Sequence, residues 1–448
     1  MKNFESIIGY DAEKEELMRL CDVLKNRNKY ADLGVKMPQA ILIYGEPGLG
    51  KTLMAKTLIE NSGRNCYSCK KDRAGDAFVD KIRETFESAI NNQPSIVFLD
   101  DVDKFAQDNL REDNNKEEFV TIQSCFDDIN DKDVFVVATA NEILNIPYSL
   151  LREGRFGRRI KVDAPSREDS VKIIGYFLRN KPVSKEVSAE FIADFLGGKT
   201  CAFLEEAVNE AGIYAGYEGK NEINKKHFIN AVMRLTTKNL PSKKMNEKEK
   251  RIVCVHESGH AVASVISGKK VSVITFKEHG NVGGFCSFCD YEKNYTYDEF
   301  KNEIIILLAG KAATELVCNV VDPGAESDIE TAIKLIRRRI EKLATDGFYY
   351  LYDRNEYDHD QPVRRIENIE DKISETLEKL YAETISMIRN HEDLLTVVAS
   401  ALSEKEVLVW DDICDIVNGM PAKNKTNRGL TTYFWLIRRC ARGLYVWY

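Results

Sequence analysis

Long apolar runs are missing from this 448-residue sequence: no window of 18 or more uncharged apolar residues occurs, which argues against a transmembrane helix. The opening stretch, MKNFESIIGYDAEKEELMRL, has charges every few residues and no apolar core segment, so a signal peptide is not expected. Positive charge is not in excess. The 64 Lys and Arg residues face 72 Asp and Glu, a net charge of -8, which is the wrong balance for a surface built to hold duplex nucleic acid. Eleven cysteines, an odd number without regular spacing, do not form a disulfide framework and suit free thiols in a reducing cytoplasm. The CSFC pair, Cys286 and Cys289, has the spacing of half a zinc knuckle or a redox pair, and no second pair completes it. Internal repeats and low-complexity tracts are absent. What remains is a chain that is 43% apolar and 30% charged, the balance of a folded soluble protein. Its length suits about two to four domains.

From Ala40 onward short apolar runs alternate with charged, helix-patterned stretches, the pattern of a parallel sheet with crossover helices. AILIYG, SIVFLDD, VFVVATAN and RRIKVDAP read as buried strands, and KTLMAKTLIE and VDKIRETFESAI as helices. Residues 1–165 form an α/β nucleotide domain on this reading. Ser166 offers an N-cap, and from there to about residue 240 the pattern is helical, a small lid. The polar stretch around Pro241 reads as a linker, and a third domain, 246–418, starts with a helix, passes through KVSVITFKEHGNVGGFCSF and returns to helices. Its last long helix, from about Arg365 to His391, carries Ile366, Ile369, Ile373, Leu377, Leu380 and Ile388 on one face. The tail, 419–448, ends in TTYFWLIRRCARGLYVWY, aromatic and basic, and reads first as a partly buried terminal segment, with peripheral contact with a membrane surface or a partner as the alternative.

GEPGLGKT, Gly45 to Thr52, follows an expected strand and opens an expected helix, the context that a phosphate-binding loop requires. Gly45, Pro47, Gly48 and Gly50 shape the turn so that successive amide hydrogens face phosphate oxygens; Lys51 then meets the β and γ phosphates and Thr52 holds Mg²⁺. Asp100, in SIVFLDD, is the carboxylate expected to bind Mg²⁺, directly or through water. Asp101 follows it where a glutamate usually orients the attacking water. The missing methylene displaces the carboxylate by about 1 Å, worth about 10²-fold in rate. Asn141 ends the strand VFVVATAN within reach of the γ-phosphate or the attacking water. Arg152 and Arg155 follow in LLREGRFGRRI, where arginines near a helix end commonly do nothing but solvate it.

VHESGHAVAS places His256 and His260 one helical turn apart, so that both imidazoles face one Zn²⁺, while Glu257 lies beside them as a proton acceptor rather than a ligand. The sequence has only six histidines, which gives their spacing weight. A catalytic zinc needs a third protein ligand and keeps one position for water. His279, Glu315, Glu326 and Asp328 are all candidates. Peptide hydrolysis is the natural reaction of such a centre, with Glu257 taking the proton of the attacking water and returning it to the leaving amine.

Together these motifs, in this order from about Phe4 to Asp415, resemble the AAA+ ATPases, and specifically the FtsH-type AAA proteases. The resemblance implies an α/β AAA+ P-loop domain with a parallel sheet and small helical lid, followed by a mainly α-helical zinc peptidase domain. It implies ATP with Mg²⁺ and Zn²⁺ as cofactors, protein substrates and a homo-hexameric ring. It makes Arg152 and Arg155 fingers that reach a neighbouring subunit's nucleotide, and Asp328, in GAESDIETA, the third metal ligand. Glu315, in LLAGKAATEL, is then structural. The stretch ending at Phe288 is similar to the family strand that lies along bound peptide. The family's N-terminal membrane anchor is not found in this sequence, which reads as a soluble relative or as a chain lacking that portion.

The resemblance also has departures. Asp101 is one. KKDRAGDAF has Ala74 and Gly75 where the family has an aromatic that grips substrate in the pore, and small residues lack the contact area of a ring; a shift of register would put Phe78 there instead. Pro147 replaces an acidic residue before the fingers, and TCAF, Thr200 to Phe203, replaces SGAD in the lid. The first expectation is therefore an ATP-dependent zinc endopeptidase. Its alternative is a remodelling or regulatory ATPase, or a peptidase of loose chains with weak ATP drive.

Overall fold

The computed structural model describes residues 4–71, 76–105, 116–237, 245–276, 284–288, 296–343 and 367–420. The chain divides into two compact units, Met1–Ala193 with Gly198–Ala231, and Asp194–Gly197 with Val232–Tyr448.

The first unit contains α1 (Asp11–Lys25), α2 (Arg27–Ala31), β1 (Ala40–Tyr44), α3 (Lys51–Ser62), β2 (Asn65–Lys70), α4 (Asp76–Asn91), β3 (Ser95–Asp100), α5 (Lys116–Asp128), β4 (Val134–Ala140) and β5 (Arg158–Lys161). Then come α6 (Arg167–Leu178), α7 (Ala189–Phe195), α8 (Cys201–Tyr217) and α9 (Lys225–Thr237), whose last residues pass into the second unit. The strands form a parallel sheet in the order β2-β3-β4-β1-β5. β3 and β4 are buried at every position, which explains their unbroken apolar runs: helices cover both faces of a parallel sheet. The four strands expected from these runs are present, but β5 is not the buried strand that RRIKVDAP suggested: it is a sheet-edge strand in which only Ile160 is buried. β2 escaped the sequence reading because NCYSCK is a sheet-edge strand with most positions exposed. Ser166 caps α6, its Oγ accepting from the amide of Asp169 at 3.1 Å.

Register decides where the functional groups fall. Tyr44 pairs with Ala140 and Leu99 with Ala138, so Asp100, the last residue of β3, and Gly45 and Asn141, which follow β1 and β4, gather at the C-terminal edge of the sheet, where ligands bind in such folds. Beneath them lies an aromatic core in which Phe78 meets Phe105 edge-on at 5.1 Å and Phe126 meets Phe156 at 5.0 Å. Phe78 is fully buried there and has no ring to offer a substrate. Ala74 and Gly75 lie outside the described residues.

The second unit contains α10 (Glu247–Ile266), β6 (Val271–Thr275), β7 (Phe285–Phe288), α11 (Tyr297–Cys318), α12 (Glu326–Leu343), α13 (Glu367–Asn390), α14 (Glu392–Lys405), β8 (Val407–Val409) and α15 (Trp410–Gly419). Both central helices start at capping boxes. Asn246 and Glu249 exchange side-chain and backbone bonds at the head of α10, and Thr296 and Glu299 do so at the head of α11. β6, β7 and β8 form a small antiparallel sheet in the order β7-β6-β8. β8 has only three residues between two helices, too few for an alternation to show in the sequence. The stripe expected on the last long helix lies in the core: Ile373, Leu380 and Ile388 are buried, and Ile369 and Leu377 pack beside them. Ile366, Cys289 and the aromatic tail are outside the described residues; Cys286 sits half-buried on β7.

Candidate active sites

α10 is buried from Cys254 to Val265, all the way round, so its polar residues need partners inside the protein. His260 Nδ1 donates to the carbonyl of Ile306 at 2.7 Å, and His256 Nδ1 donates to Asp322 Oδ2 at 2.6 Å. A carbonyl and a carboxylate can only accept, so in the neutral rings both protons sit on Nδ1 and both Nε2 atoms are left with lone pairs. Those two Nε2 atoms face each other at 2.9 Å, and Asp328 Oδ2 lies 3.2 Å from one and 3.3 Å from the other. The ligand atoms of His256, His260 and Asp328 lie within 4.8 Å of one another. Three acceptors converging in a buried place require a cation or protons among them, and two imidazoles with one carboxylate form the donor set of a catalytic zinc.

The metal-free charges reflect this. Burial works against a charged His256, but its hydrogen bonds to Asp322 and Asp328 prevail and raise it to about 10. Burial likewise opposes the Asp328 carboxylate, and the bonds from His256 and His260 hold it far below the usual range. Glu257 is pushed up to about 7 by burial, against the pull of the two histidines, which suits a group that takes and returns a proton near neutral pH.

Two glycines let the site exist. A methyl group on Gly310 of α11 would lie 2.5 Å from His256 Nε2 and 2.6 Å from His260 Nε2, so the imidazoles occupy the room that a side chain would take. On Gly284, just before β7, it would lie 2.9 Å from Glu257 Oε1; here the strand's backbone comes up against the base. A cavity of about 360 Å³ opens beside them, lined among others by Val253, Glu257, Gly284, Asp322 and Glu326. Of the four candidates for third ligand, Asp328 joins the histidines. Glu315 instead holds Lys311, at 2.7 Å, and Tyr381. Glu326 stands exposed in the cavity wall, and His279 is outside the described residues.

In the first unit, Gly45, Gly48 and Gly50 take positive φ of 148°, 82° and 88°, which curls the loop around the head of α3. Gly45 also has no room for a side chain, since a methyl group there would lie 2.0 Å from the Val162 carbonyl. Pro47 is at the exposed tip of the loop. Lys51 Nζ donates to the Glu46 carbonyl at 2.8 Å and to Asn141 Oδ1 at 2.9 Å; burial lowers its pKa. Thr52 Oγ1 is 3.2 Å from Asp100 Oδ1, which places together the two groups expected to bind Mg²⁺. Burial disfavours the Asp100 carboxylate, yet bonds from Thr139, Lys70 and Thr52 hold it below the usual range. Asp101 has a left-handed backbone, its amide bonds to Thr139 Oγ1 at 2.9 Å, and its carboxylate meets Lys104 at 2.7 Å. At the head of α8 the lid touches the loop, with the Ala202 amide donating to the Gly48 carbonyl at 2.9 Å.

Comparison with known proteins matches the two halves of the chain to two families. Residues 41–164 match the family "ATPase family associated with various cellular activities (AAA)", and residues 243–416 match "Peptidase family M41". A protein called ATP-dependent zinc metalloprotease FtsH, from Caldicellulosiruptor bescii, is 30% identical over 442 residues, covering 92% of this chain and 72% of the relative. The chain belongs to the FtsH family of ATP-dependent zinc metalloproteases. Another FtsH, from the aster yellows witches'-broom phytoplasma, is 32% identical over 92% of this chain. The chain spans 64% of that relative's length and 58% of the FtsH of Leptotrichia buccalis. Among the described residues no helix is long and apolar enough to cross a membrane.

For an FtsH chain, the two arginines after β4 are placed unequally. Arg152 is exposed. Arg155 is only 7% exposed and turned into its own unit, where it donates to the Ser149 carbonyl at 3.2 Å and to Asp127 at 3.1 Å. Four contributors were missed in the sequence: Thr139, which bonds both Asp100 and the Asp101 amide, Lys70 on Asp100, Gly310 and Asp322. Only Gly310 left a usable mark, a glycine inside a helical pattern, which signals close approach of another element.

Proposed function

We propose that this chain is an ATP-dependent zinc endopeptidase in which a homo-hexameric ring of AAA+ units feeds protein segments to the His256, His260 and Asp328 centre. The observation that carries the reading is the convergence of those three ligand atoms within 4.8 Å beside the buried Glu257. Bound zinc supplies a water acidified toward neutral pH and a Lewis acid for the scissile carbonyl. Glu257 accepts the proton of the attacking water and hands it to the leaving amine. An extended substrate adds to the edge of β7 that pairs with no strand among the described residues, which aligns its backbone along the cavity; the sheet order β7-β6-β8 supports this.

At the other centre, Lys51 would exchange the Glu46 carbonyl and Asn141 for the phosphates, and Thr52 with Asp100 would hold Mg²⁺, which would neutralise charge on the transferred group. Asp101 orients the water once it leaves Lys104. Arg152 reaches the neighbouring subunit's nucleotide, and Arg155 joins it after release from Asp127. Protein chains are the substrates, and the nine free cysteines among the described residues support a reducing, cytoplasmic setting.

The test is degradation of a folded and a permanently unfolded protein by the purified chain, with and without ATP and with a zinc chelator. The expected result is chelator-sensitive cleavage of both, with the folded protein cut only when ATP is hydrolysed. Equal rates with and without ATP, together with no attack on the folded protein, would remove the motor from the proposal.

A further inference from the structure

His256 and His260 have their outer ring nitrogens held in unlike ways. His260 donates to a backbone carbonyl, a neutral acceptor that α11 supplies wherever it packs on α10. His256 donates to the carboxylate of Asp322 at 2.6 Å, and both side chains are only 9% exposed. Asp322 is itself fixed. Its other oxygen accepts from the amide of Gly324 at 2.9 Å and caps the single 3₁₀ turn Pro323–Ala325. That turn runs straight into α12, and Asp328 stands in the first turn of α12. One side chain thus grips a metal ligand with one oxygen and, with the other, shapes the turn that delivers a second ligand.

We propose that Asp322 is the positioning residue of the metal centre: it fixes His256 in the tautomer that presents Nε2 and sets the turn from which Asp328 reaches the same point. The inference rests on the zinc reading. An imidazole without an outer partner samples both tautomers and turns about its side-chain bonds. A carboxylate partner removes that freedom and makes the ring a better donor, and loss of such partners costs about 10- to 100-fold in metal affinity. Asp322 also closes one wall of the cavity, so its position ties substrate access to the geometry of the ligands.

The experiment uses the full chain, stripped of metal, with zinc affinity measured by competition against a chromophoric chelator and geometry by the visible spectrum of the Co²⁺-loaded protein. For Asp322→Ala the expected result is about 10- to 100-fold weaker zinc binding with a changed Co²⁺ spectrum. Asp322→Asn keeps an acceptor oxygen without the charge, and its loss is expected to fall between wild type and Asp322→Ala. Glu315→Ala removes a carboxylate that bonds Lys311 and Tyr381 instead, and leaves zinc affinity within about twofold. If Asp322→Ala binds zinc within about twofold of wild type with an unchanged Co²⁺ spectrum, or if Glu315→Ala loses as much, the proposal is overturned. Should Asp322→Ala not fold, Asp322→Asn decides, and wild-type affinity in that variant overturns it equally. A wild-type chain that binds no zinc defeats the zinc reading itself, which separates that failure from this one.

Discussion

The nucleotide site and the zinc site are made from different materials. The first hangs from the ends of parallel strands, and its groups are close because strand register makes Gly45, Asp100 and Asn141 neighbours. The second lies on the flank of a helix buried on every side, and its groups are close because a neighbouring helix carries a glycine opposite them. A loop at a strand end can rearrange when its ligand arrives, and the proposed role of Lys51 requires it to leave Asn141. A site formed by helix packing has little freedom, since interiors are close-packed and do not absorb an added methyl group without strain. The ATP site is thus built to change state, and the peptidase site to stay as it is.

The largest expected effects set the two centres against each other. Glu257→Gln should lower peptide cleavage by about 10²- to 10⁴-fold while ATP turnover continues. Lys51→Ala should abolish ATP hydrolysis and leave cleavage of a permanently unfolded substrate. Parallel ATPase and peptidase assays on both variants check this, and a joint loss of both activities in either one would show that the centres are not separable.

Gly310→Ala sharpens the packing side of the contrast. The added methyl group meets both imidazoles, and overpacking of about 3 kcal/mol corresponds to about 10²-fold weaker zinc binding. Chelator competition measures it; unchanged affinity would mean that α10 and α11 shift apart freely, and the rigidity argued here would be wrong.

On the mobile side, Asp101→Glu restores the missing methylene and should raise ATP hydrolysis by about 10²-fold under saturating ATP and Mg²⁺. No gain would indicate that the left-handed backbone at Asp101 or its Lys104 partner already sets the carboxylate correctly.

The most gradual effect concerns pH. In the metal-free protein His256 is raised to about 10, so above about pH 7 zinc must displace one proton from it on binding. Apparent zinc affinity should therefore climb about tenfold per pH unit until the pH reaches the His256 value, then level off. Titrations at several pH values with a fixed chelator give the slope, and a flat profile would mean that His256 is already neutral.

Much of both sites was legible because each motif carries its own local geometry. GEPGLGKT between a strand and a helix, and HESGH on one helix face, need only short stretches of chain to bring their groups together. The apolar runs of β3 and β4 announced buried parallel strands for the same reason, while β2 and β8 stayed hidden, one by exposure and the other by brevity. The third ligand was different. Four residues were chemically eligible, and nothing in their spacing chose among them; the family resemblance named Asp328, and packing brought it to the histidines.

The sequence by itself determined the chemistry available to this protein: a phosphate loop, a strand-end carboxylate and a two-histidine helix, all set by interactions within a few residues. Tertiary structure alone decided which distant groups complete them. It turned Arg155 inward onto Asp127, buried Phe78 against Phe105, and set Asp322 against His256 across 66 residues of chain. Such pairings depend on how closely two helices approach and where a turn points the chain, and those follow from packing summed over the whole unit, not from any local pattern.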